Sequence, residues 1–284
     1  MAESLSHKFG QIIGDLLELA IKPNLEKFAK KHTLFLDKKG ERITRKGIKL
    51  TWTDLKENKH DLDFVLERGG TKDTLGVPLA FIETAWRRYT KHSRNKAQEI
   101  QGAIIPLSEK FKSSSPFLGV VLAGVFTNGA LNQLKSLGFS VLYFSYDTVV
   151  KAFSKFGINA GFDETTSEKD FKRKINGWQQ LANKEAVAKE LLKLNKKEVD
   201  VFFESLTKSV LRYIDSIFIL PLHGQESSLQ TVTEAILFLK EYSENKPNQS
   251  LFKYEIIIRY NTGDKIEASF KDKKDAIKFL ETYV

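Results

Sequence analysis

Two acidic residues, Asp63 and Glu83, are the side chains best suited by type and position to do chemistry. Asp63 lies within residues 61–66, where apolar side chains alternate with other side chains as in a strand, and Glu83 ends a second short apolar run. The Arg-Gly-Gly turn at 68–70 predicts that the two segments form a hairpin. Because neighbouring strands lie roughly 5 Å apart, two carboxylates in register can share one divalent cation, and hard oxygen ligands suit magnesium. Asp61 is two residues from Asp63, so it is expected on the same face as a second or alternative ligand.

A basic segment follows Glu83 almost at once. Residues 86–96 hold five Lys or Arg and no acid, with a tryptophan and a tyrosine interleaved. Cationic side chains directly after a metal-binding carboxylate favour phosphate binding over a merely solvated surface. Ser93 is placed to cap a helix that runs to about Phe111. The residues predicted to contact phosphate are Arg87, Arg88, Lys91 and Arg94. Gln98 is predicted to bind the DNA through its amide, which could orient a water or a phosphate.

This order of features is similar to the core of the PD-(D/E)XK nucleases, and it most resembles the type II restriction endonucleases. The features are an acid on one strand, a second acid after a loop, and a following helix rich in basic and amide residues. The resemblance covers residues 1–156, a little over half of the chain. It implies that Asp63 and Glu83 bind magnesium, that the chain hydrolyses phosphodiester bonds of double-stranded DNA, and that the basic segment contacts the DNA. It also draws attention to Glu18, because the opening helix of these nucleases often sends an acid toward the metal.

The chain departs from the family motif at one position. The motif ends Glu-x-Lys, whereas here Glu83 is followed by Thr84 and Ala85. In these nucleases a positively charged side chain usually lies near the attacking water, and Ala85 cannot supply that charge. The candidates for that role are Lys96, on the following helix, and its rivals Arg88, Lys91 and Arg94.

Two other functions stay open on the sequence. One is a DNA repair or junction-resolving nuclease of the same superfamily, which a strict sequence preference in cleavage would exclude. The other is a catalytically silent DNA-binding protein, to which the alanine at position 85 points. A restriction enzyme that cuts both strands of a symmetric site needs two active sites, so a homodimer is expected.

Composition narrows the remaining classes. The formal net charge is +9 and the pI about 9.3, which suits an anionic partner such as nucleic acid. Cysteine is absent, which excludes disulfides, thiolate zinc sites and a cysteine nucleophile. No Gly-Lys-Ser/Thr signature is present, so no nucleotide cofactor is expected. Because no apolar run reaches roughly 18 residues and no signal-peptide pattern is present, a cytoplasmic protein without a membrane segment is expected.

The predicted elements of residues 1–156 run helix, hairpin strands, helix, strand, helix, strand. This order predicts an α/β fold with a PD-(D/E)XK-like mixed central sheet flanked by helices. The opening helix is predicted over residues 5–21 and is ended or kinked by Pro23. Short strands at 33–36 and 48–52 are expected to pair as a basic hairpin.

Residues 157–284 are predicted to form a separate α+β C-terminal region. It contains a clear hairpin over residues 253–270 and flanking helices, and we expect it to serve DNA recognition, dimerisation or both. His223 is a candidate catalytic residue by type, but a lone histidine without a partner nearby in the sequence is usually structural.

Overall fold

The computed structural model describes residues 4–222, 224–246 and 249–283, so His223 lies outside the described residues. The chain forms two compact units, Met1–Val210 and Leu211–Val284. The division therefore lies after Val210 and not after residue 156, where the sequence placed it. Within the described ranges, no helix is long and apolar enough to cross a membrane.

The first unit carries the acidic and basic segments. Its elements, in chain order, are α1 (Leu5–Lys31), β1 (Leu34–Lys38), β2 (Leu50–Thr53), β3 (Lys59–Leu62), β4 (Phe64–Arg68), β5 (Val77–Arg87), the short 3-10 helix Thr90–His92, α2 (Ser93–Lys110), β6 (Phe117–Gly124), α3 (Asn128–Ser136), β7 (Ser140–Ser145), α4 (Tyr146–Ser154), α5 (Glu168–Gln180), α6 (Lys184–Leu194) and α7 (Lys196–Val210).

The main sheet of the first unit is mixed and has five strands in the order β1-β4-β5-β6-β7. The pairs β1–β4 and β4–β5 are antiparallel, whereas β5–β6 and β6–β7 are parallel. This arrangement confirms the expected α/β class with a mixed central sheet flanked by helices. The almost continuous apolar composition of β6 follows from its place inside the parallel half, where both faces of the strand are covered.

Helices cover both faces of this sheet. Along β5, Ile82 and Trp86 join an apolar core shared with α1 and α4–α7, whereas Phe81 and Ala85 join a second core shared with α2 and α3. Successive side chains of a strand point to opposite faces, so a single strand can serve both cores. The side chain of Glu83 belongs, by this alternation, to the face that α2 covers.

Helices α5–α7 belong to the first unit because their apolar stripes are buried in the core that contains α1. Phe171, Ile175, Leu191 and Phe202 are all buried there. The charged residues of this segment suggested a separate region from the sequence. An amphipathic helix carries such charges on its outer face while its apolar face packs, and long-range packing sets the boundary.

Helix α1 continues through Pro23 to Lys31, so the predicted end at residue 21 is wrong. Proline removes one intrahelical hydrogen bond and crowds the preceding turn. The turns that follow bury Leu25, Phe28 and Ala29 in the core, which offsets that cost.

The expected hairpin between residues 33–36 and 48–52 is also wrong. Strand β1 pairs with β4 in the main sheet, and β2 pairs with β3 in a separate two-stranded sheet. The segment between β1 and β2 closes on itself through a local backbone hydrogen bond, in which Gly40 N donates to Ile48 O at 2.8 Å. Burial of the apolar side of β1 against α1 favours the main sheet over local pairing.

The second unit contains β8 (Ile214–Pro221), β9 (Ser227–Leu229), α8 (Val232–Glu241), β10 (Asn245–Lys246), β11 (Gln249–Ser250), β12 (Tyr254–Tyr260), β13 (Lys265–Phe270) and α9 (Lys273–Glu281). A four-stranded antiparallel sheet has the order β13-β12-β8-β9, and α8 and α9 pack with it around one apolar core. The hairpin expected over residues 253–270 is present as β12–β13. The unit holds ten Lys or Arg and eleven Asp or Glu, so the excess positive charge of the chain lies in the first unit.

Candidate functional site

A cleft of about 1080 Å³ in the first unit brings together several of the acidic and basic residues that the sequence singled out. One face of α1, the carboxyl-terminal part of β5, the start of α2 and residues 162–168 line it. In open α/β sheets, ligands bind beyond the carboxyl ends of the parallel strands, which is where β5 leads. The charged residues that line the cleft include Asp15, Glu18, Asp63 and Glu83, together with Lys39, Arg87, Arg88 and Lys96.

Asp63 is held at the point where β3 ends and β4 begins. The ladder between β4 and β5 pairs Phe64 with Ile82, so Asp63 and Glu83 are the next residues outward on the two chains. The Oδ2 atom of Asp63 accepts hydrogen bonds from the backbone N–H and the hydroxyl of Thr84, at 2.7 and 2.8 Å. Thr84 was not identified from the sequence, and it orients the carboxylate so that Oδ1 is the oxygen that Thr84 does not engage.

Glu83 is a buried carboxylate in the middle of β5, not at the strand end as expected, because β5 continues to Arg87. Only 9% of the residue is exposed, and within the described part of the chain it has neither a hydrogen-bond donor nor an ion-pair partner. Burial raises its pKa well above the ordinary value, and the negative charge of Asp63 raises it further. The nearby positive charge of Lys96 acts in the opposite direction.

Glu18 reaches the same cleft from α1. It lies four residues after Gly14 and eight after Gly10, so all three share one face of the helix. A side chain added at Gly14 would meet no atom within 4 Å, which leaves the approach to Glu18 open. Burial, then Asp63 and Asp15, raise the pKa of Glu18 to about 7. In the sequence, only the family resemblance drew attention to Glu18. The structure places it in the cleft with Asp63 and Glu83.

The donor set fits a hard divalent cation. Burial and the negative charge of Asp63 raise the pKa of both Glu18 and Glu83, so these acids would be stabilised in their charged form by a bound cation. Among the described residues, no group of three or more His, Cys, Asp and Glu is arranged to hold a metal ion by itself. Magnesium commonly binds through one or two carboxylates and keeps several waters, so Asp63 and Glu83 suffice as protein ligands.

Lys96, in the first turn of α2, is the cation that the structure brings to these acids. It lines the cleft, and its Nζ lies 3.5 Å from the carboxylate of Glu99. Its effect on the pKa of Glu83 places its charge within electrostatic reach of that carboxylate. Glu99 also lies 3.6 Å from Arg87, so it connects two cleft cations and is a second residue that the sequence did not reveal.

The rivals of Lys96 are placed differently. Arg88 donates from Nε to the backbone oxygen of Phe162 at 2.6 Å and lies over the Tyr146 ring at 4.0 Å, so it holds the loop after α4 in place. Lys91 and Arg94 are exposed and do not line the cleft.

The other predicted contacts divide in the same way. Arg87 is half-buried and lines the cleft, whereas Gln98 is exposed outside it. The predicted phosphate-binding segment thus contributes Arg87 and Arg88 to the cleft wall and presents Lys91, Arg94 and Gln98 to solvent beside it.

Asp61, predicted as a second or alternative ligand, does not line the cleft, although its negative charge also raises the pKa of Glu83. The Asp61 carboxylate accepts from Lys49 Nζ at 2.7 Å and from the Thr51 hydroxyl at 2.6 Å, and this pairing lowers its pKa. The rule that residues i and i+2 share a face holds within one strand. Here β3 ends at Leu62 and the chain bends at Asp63 before β4 begins.

The raised pKa values predict how folding stability depends on pH in the metal-free protein. A carboxyl group with a higher pKa in the folded state stabilises the fold when protonated, and this contribution is lost as the pH rises. For Glu18 the loss runs from the ordinary 4.5 to beyond the folded value of about 7. We expect the thermal unfolding midpoint in the presence of a chelator to fall over this range, and Glu18→Gln to flatten the fall.

Glu185→Gln is the matched control, because Glu185 is an exposed helix glutamate outside the cleft. It should leave the pH dependence of the midpoint as in the wild-type chain. Identical pH profiles for the wild-type and Glu18→Gln chains would show that Glu18 titrates normally.

Comparisons with known proteins add little to this geometry. No protein-family model matches the chain, and no curated protein matches it. One solved structure, described as "Protein of Unknown Function AF1548", is similar at 10% sequence identity and a TM-score of 0.28. The alignment covers 69% of this chain and 98% of that one, and the TM-score is too low to carry an argument.

Proposed function

We propose that this chain is a magnesium-dependent endonuclease that hydrolyses phosphodiester bonds of double-stranded DNA, built on a PD-(D/E)XK-like core and acting as a type II restriction endonuclease. The observation that carries the proposal is the convergence of Glu18, Asp63, Glu83 and Lys96 on one cleft. These residues come from α1, the start of β4, the middle of β5 and the start of α2. The strongly basic first unit supports an anionic substrate.

The proposed mechanism assigns a task to each side chain. Asp63 and Glu83 would hold the metal, and Thr84 fixes the orientation of Asp63. Bound magnesium would lower the pKa of a coordinated water and offset negative charge on the phosphate. Lys96 provides the positive charge that Ala85 cannot, close to Glu83 and therefore close to the reacting phosphate. Glu18 adds a third negative charge on the α1 side of the cleft.

One experiment tests the proposed function as a whole. Long phage DNA is incubated with the protein and magnesium, with a chelator in a parallel reaction, and the fragment ends are sequenced. Cleavage at one recurring sequence, abolished by the chelator, is the expected result. Cuts at branched or damaged structures without sequence preference would indicate a repair or junction-resolving nuclease. Binding without any cutting would indicate a catalytically silent DNA-binding protein.

The proposal includes a homodimer. Two active sites related by a two-fold axis can cut both strands of a symmetric sequence in one encounter. Analytical ultracentrifugation of the full chain with uncut duplex in calcium should give the mass of two chains. A single chain bound to the duplex, combined with double-strand breaks made in one encounter, would contradict this part of the proposal.

Charge removal in the cleft at Arg87 and beside it at Lys91 should change the salt dependence of DNA binding. Each phosphate contact that is lost reduces the slope of log affinity against log salt by about one. We expect Arg87→Gln and Lys91→Gln each to weaken duplex binding and to reduce the slope by about this amount, measured by fluorescence anisotropy in calcium.

Arg173→Gln is the control for this series, since Arg173 is exposed on α5 and pairs with Asp170 at 2.7 Å. It should leave the slope unchanged. An unchanged slope in the Arg87 and Lys91 variants as well would place the DNA away from this side of the cleft.

A further inference from the structure

Two segments of the first unit outside the cleft expose large apolar side chains. Residues 40–49 follow β1 and residues 70–77 connect β4 to β5, and together they are here called the loop surface. Contiguous exposed apolar groups rimmed by polar ones mark interaction sites. The large apolar side chains on the loop surface, with their exposed fractions, are Ile43 at 80%, Ile48 at 52%, Leu75 at 53% and Val77 at 49%.

The two segments are joined by a buried ion network. Arg42 donates to both carboxylate oxygens of Glu67, at 2.5 and 2.9 Å, and to Asp37 at 2.5 Å. It also donates to the backbone oxygens of Thr71 and Thr74, at 3.0 and 2.7 Å. All three guanidinium nitrogens of Arg42 donate hydrogen bonds, and a buried side chain bonded in this way ties together the segments that it contacts.

This network fixes the apolar tips of the loop surface. Ile43 follows Arg42 and Leu75 follows Thr74 in the chain, so the hydrogen bond from Arg42 to Thr74 ties together the two segments that carry these apolar side chains. Gly76 strengthens the junction by donating from its backbone N to Glu67 Oε2 at 2.6 Å. Rigid loops meet a partner without the cost of ordering a flexible segment.

Positive charge surrounds the loop surface. The acids Asp37 and Glu67 are buried against Arg42, and Asp37 also pairs with Arg45, so they contribute little negative charge to solvent. The side chain of Lys39 lines the cleft and directly precedes residue 40, so the loop surface begins at the rim of the cleft. The exposed charged residues of the loop surface and its margins are Lys39, Lys46, Arg68 and Lys72 against Glu41 and Asp73, whereas Lys49 is paired with Asp61 at 2.7 Å.

We propose that the loop surface is a second DNA-binding element, which takes the double helix beside the cleft and places Ile43 and Leu75 against the bases in its minor groove. The proposal rests on the proposed function for the identity of its partner. Lysines at the margin neutralise phosphates, while apolar side chains act as wedges between base steps. A second copy of this chain fits less well, because a two-fold contact would place the same cationic surface opposite itself.

The test compares apolar and charge variants of the full chain with a duplex oligonucleotide in calcium, where binding is measured without cleavage. Ile43→Ser with Leu75→Ser should weaken binding about tenfold and leave the salt slope unchanged, since apolar contacts release no counterions. Lys46→Gln with Lys72→Gln should reduce the slope by about two. Donor and acceptor dyes at the duplex ends should report a bend that only the apolar double variant loses.

The control is Val201→Ser, which removes an apolar side chain that is 55% exposed on α7, outside the loop surface. It should leave affinity, slope and bend as in the wild-type chain. Unchanged duplex binding by the Ile43 and Leu75 double variant would overturn the inference, and cleavage by the wild-type chain would then still stand. A dimer in sedimentation that this double variant converts to a monomer would overturn it in favour of self-association. Absence of both binding and cleavage in the wild-type chain would overturn the proposed function as well.

Discussion

Replacing Glu83 with glutamine should reduce magnesium-dependent DNA cleavage by at least about a thousandfold. The amide keeps the size of the side chain but removes the charge that faces Asp63 in the cleft. A loss of roughly 4 kcal/mol of metal-assisted stabilisation of the transition state corresponds to a rate decrease of this size. The measurement is the initial rate at which supercoiled plasmid becomes linear.

Asp61→Asn is the matched control for Glu83→Gln. Asp61 is an acid of the neighbouring β3, but its carboxylate binds Lys49 and Thr51 outside the cleft. Its cleavage rate should stay within about twofold of the wild-type rate, since it makes no contact with the reacting groups. Duplex binding by Glu83→Gln in calcium should survive or improve, because a negative charge near the phosphate is lost. A wild-type cleavage rate in Glu83→Gln would remove Glu83 from the mechanism.

Stability measurements separate lost chemistry from lost folding in the Glu83→Gln chain. The pKa of Glu83 is raised in the folded state, so the metal-free fold loses stability as the pH rises above the ordinary value of a glutamate carboxyl group. Glutamine cannot ionise, and we expect the metal-free variant to unfold at a higher temperature than the wild-type chain near neutral pH. Loss of cleavage with this gain in thermal stability would exclude misfolding as the cause.

The pairing of Asp63 with Glu83 could be predicted from the sequence because it depends on local pattern. Alternation and a turn predict two neighbouring antiparallel strands, and the observed register places the two acids opposite each other. The position of Asp61 could not be predicted in the same way. It depends on the bend at Asp63, which separates β3 from β4 and follows from the different sheets in which these strands pair.

Long-range burial decided the other differences. Pro23 is a local signal to end a helix, yet the following turn buries Leu25 and Phe28 in a core assembled from distant parts of the chain. The boundary after Val210 has the same origin, since α5–α7 complete the core around α1. Neither the continuation of α1 past Pro23 nor the boundary after Val210 can be predicted from a stretch of a few residues.

The selection of Lys96 over Arg88, Lys91 and Arg94 depended partly on local pattern and partly on long-range packing. Helical periodicity carried a usable signal, because Lys96 precedes the buried Ile100 and Ile104 by four and eight residues and therefore lies toward the sheet. Arg94 lies on another part of the helix surface and is exposed. What the sequence could not supply was the position of α2 over the carboxyl-terminal part of β5, which brings that face to Glu83.

Replacing Lys96 with methionine should lower the cleavage rate about a hundredfold and leave duplex binding in calcium nearly unchanged. Methionine keeps much of the length of the side chain and removes its positive charge. Loss of one preorganised group that stabilises transition-state charge costs about 100- to 1000-fold. Lys91→Met and Arg94→Met are the matched controls, because both residues are exposed outside the cleft and should alter binding more than turnover.

The pH dependence of cleavage distinguishes a direct electrostatic role of Lys96 from a structural one. Lys96 lowers the pKa of Glu83, so Lys96→Met should raise that pKa further, and protons should compete with magnesium to a higher pH. At fixed magnesium, the pH of half-maximal cleavage is therefore expected to move upward in Lys96→Met and to stay in place in Lys91→Met. Lys96→Arg, which restores the charge, should return the midpoint toward the wild-type value. A hundredfold loss of rate in Lys96→Met with no shift of the midpoint would assign Lys96 a role away from Glu83. Full activity of Lys96→Met would indicate that Arg87 or Arg88 supplies the positive charge instead.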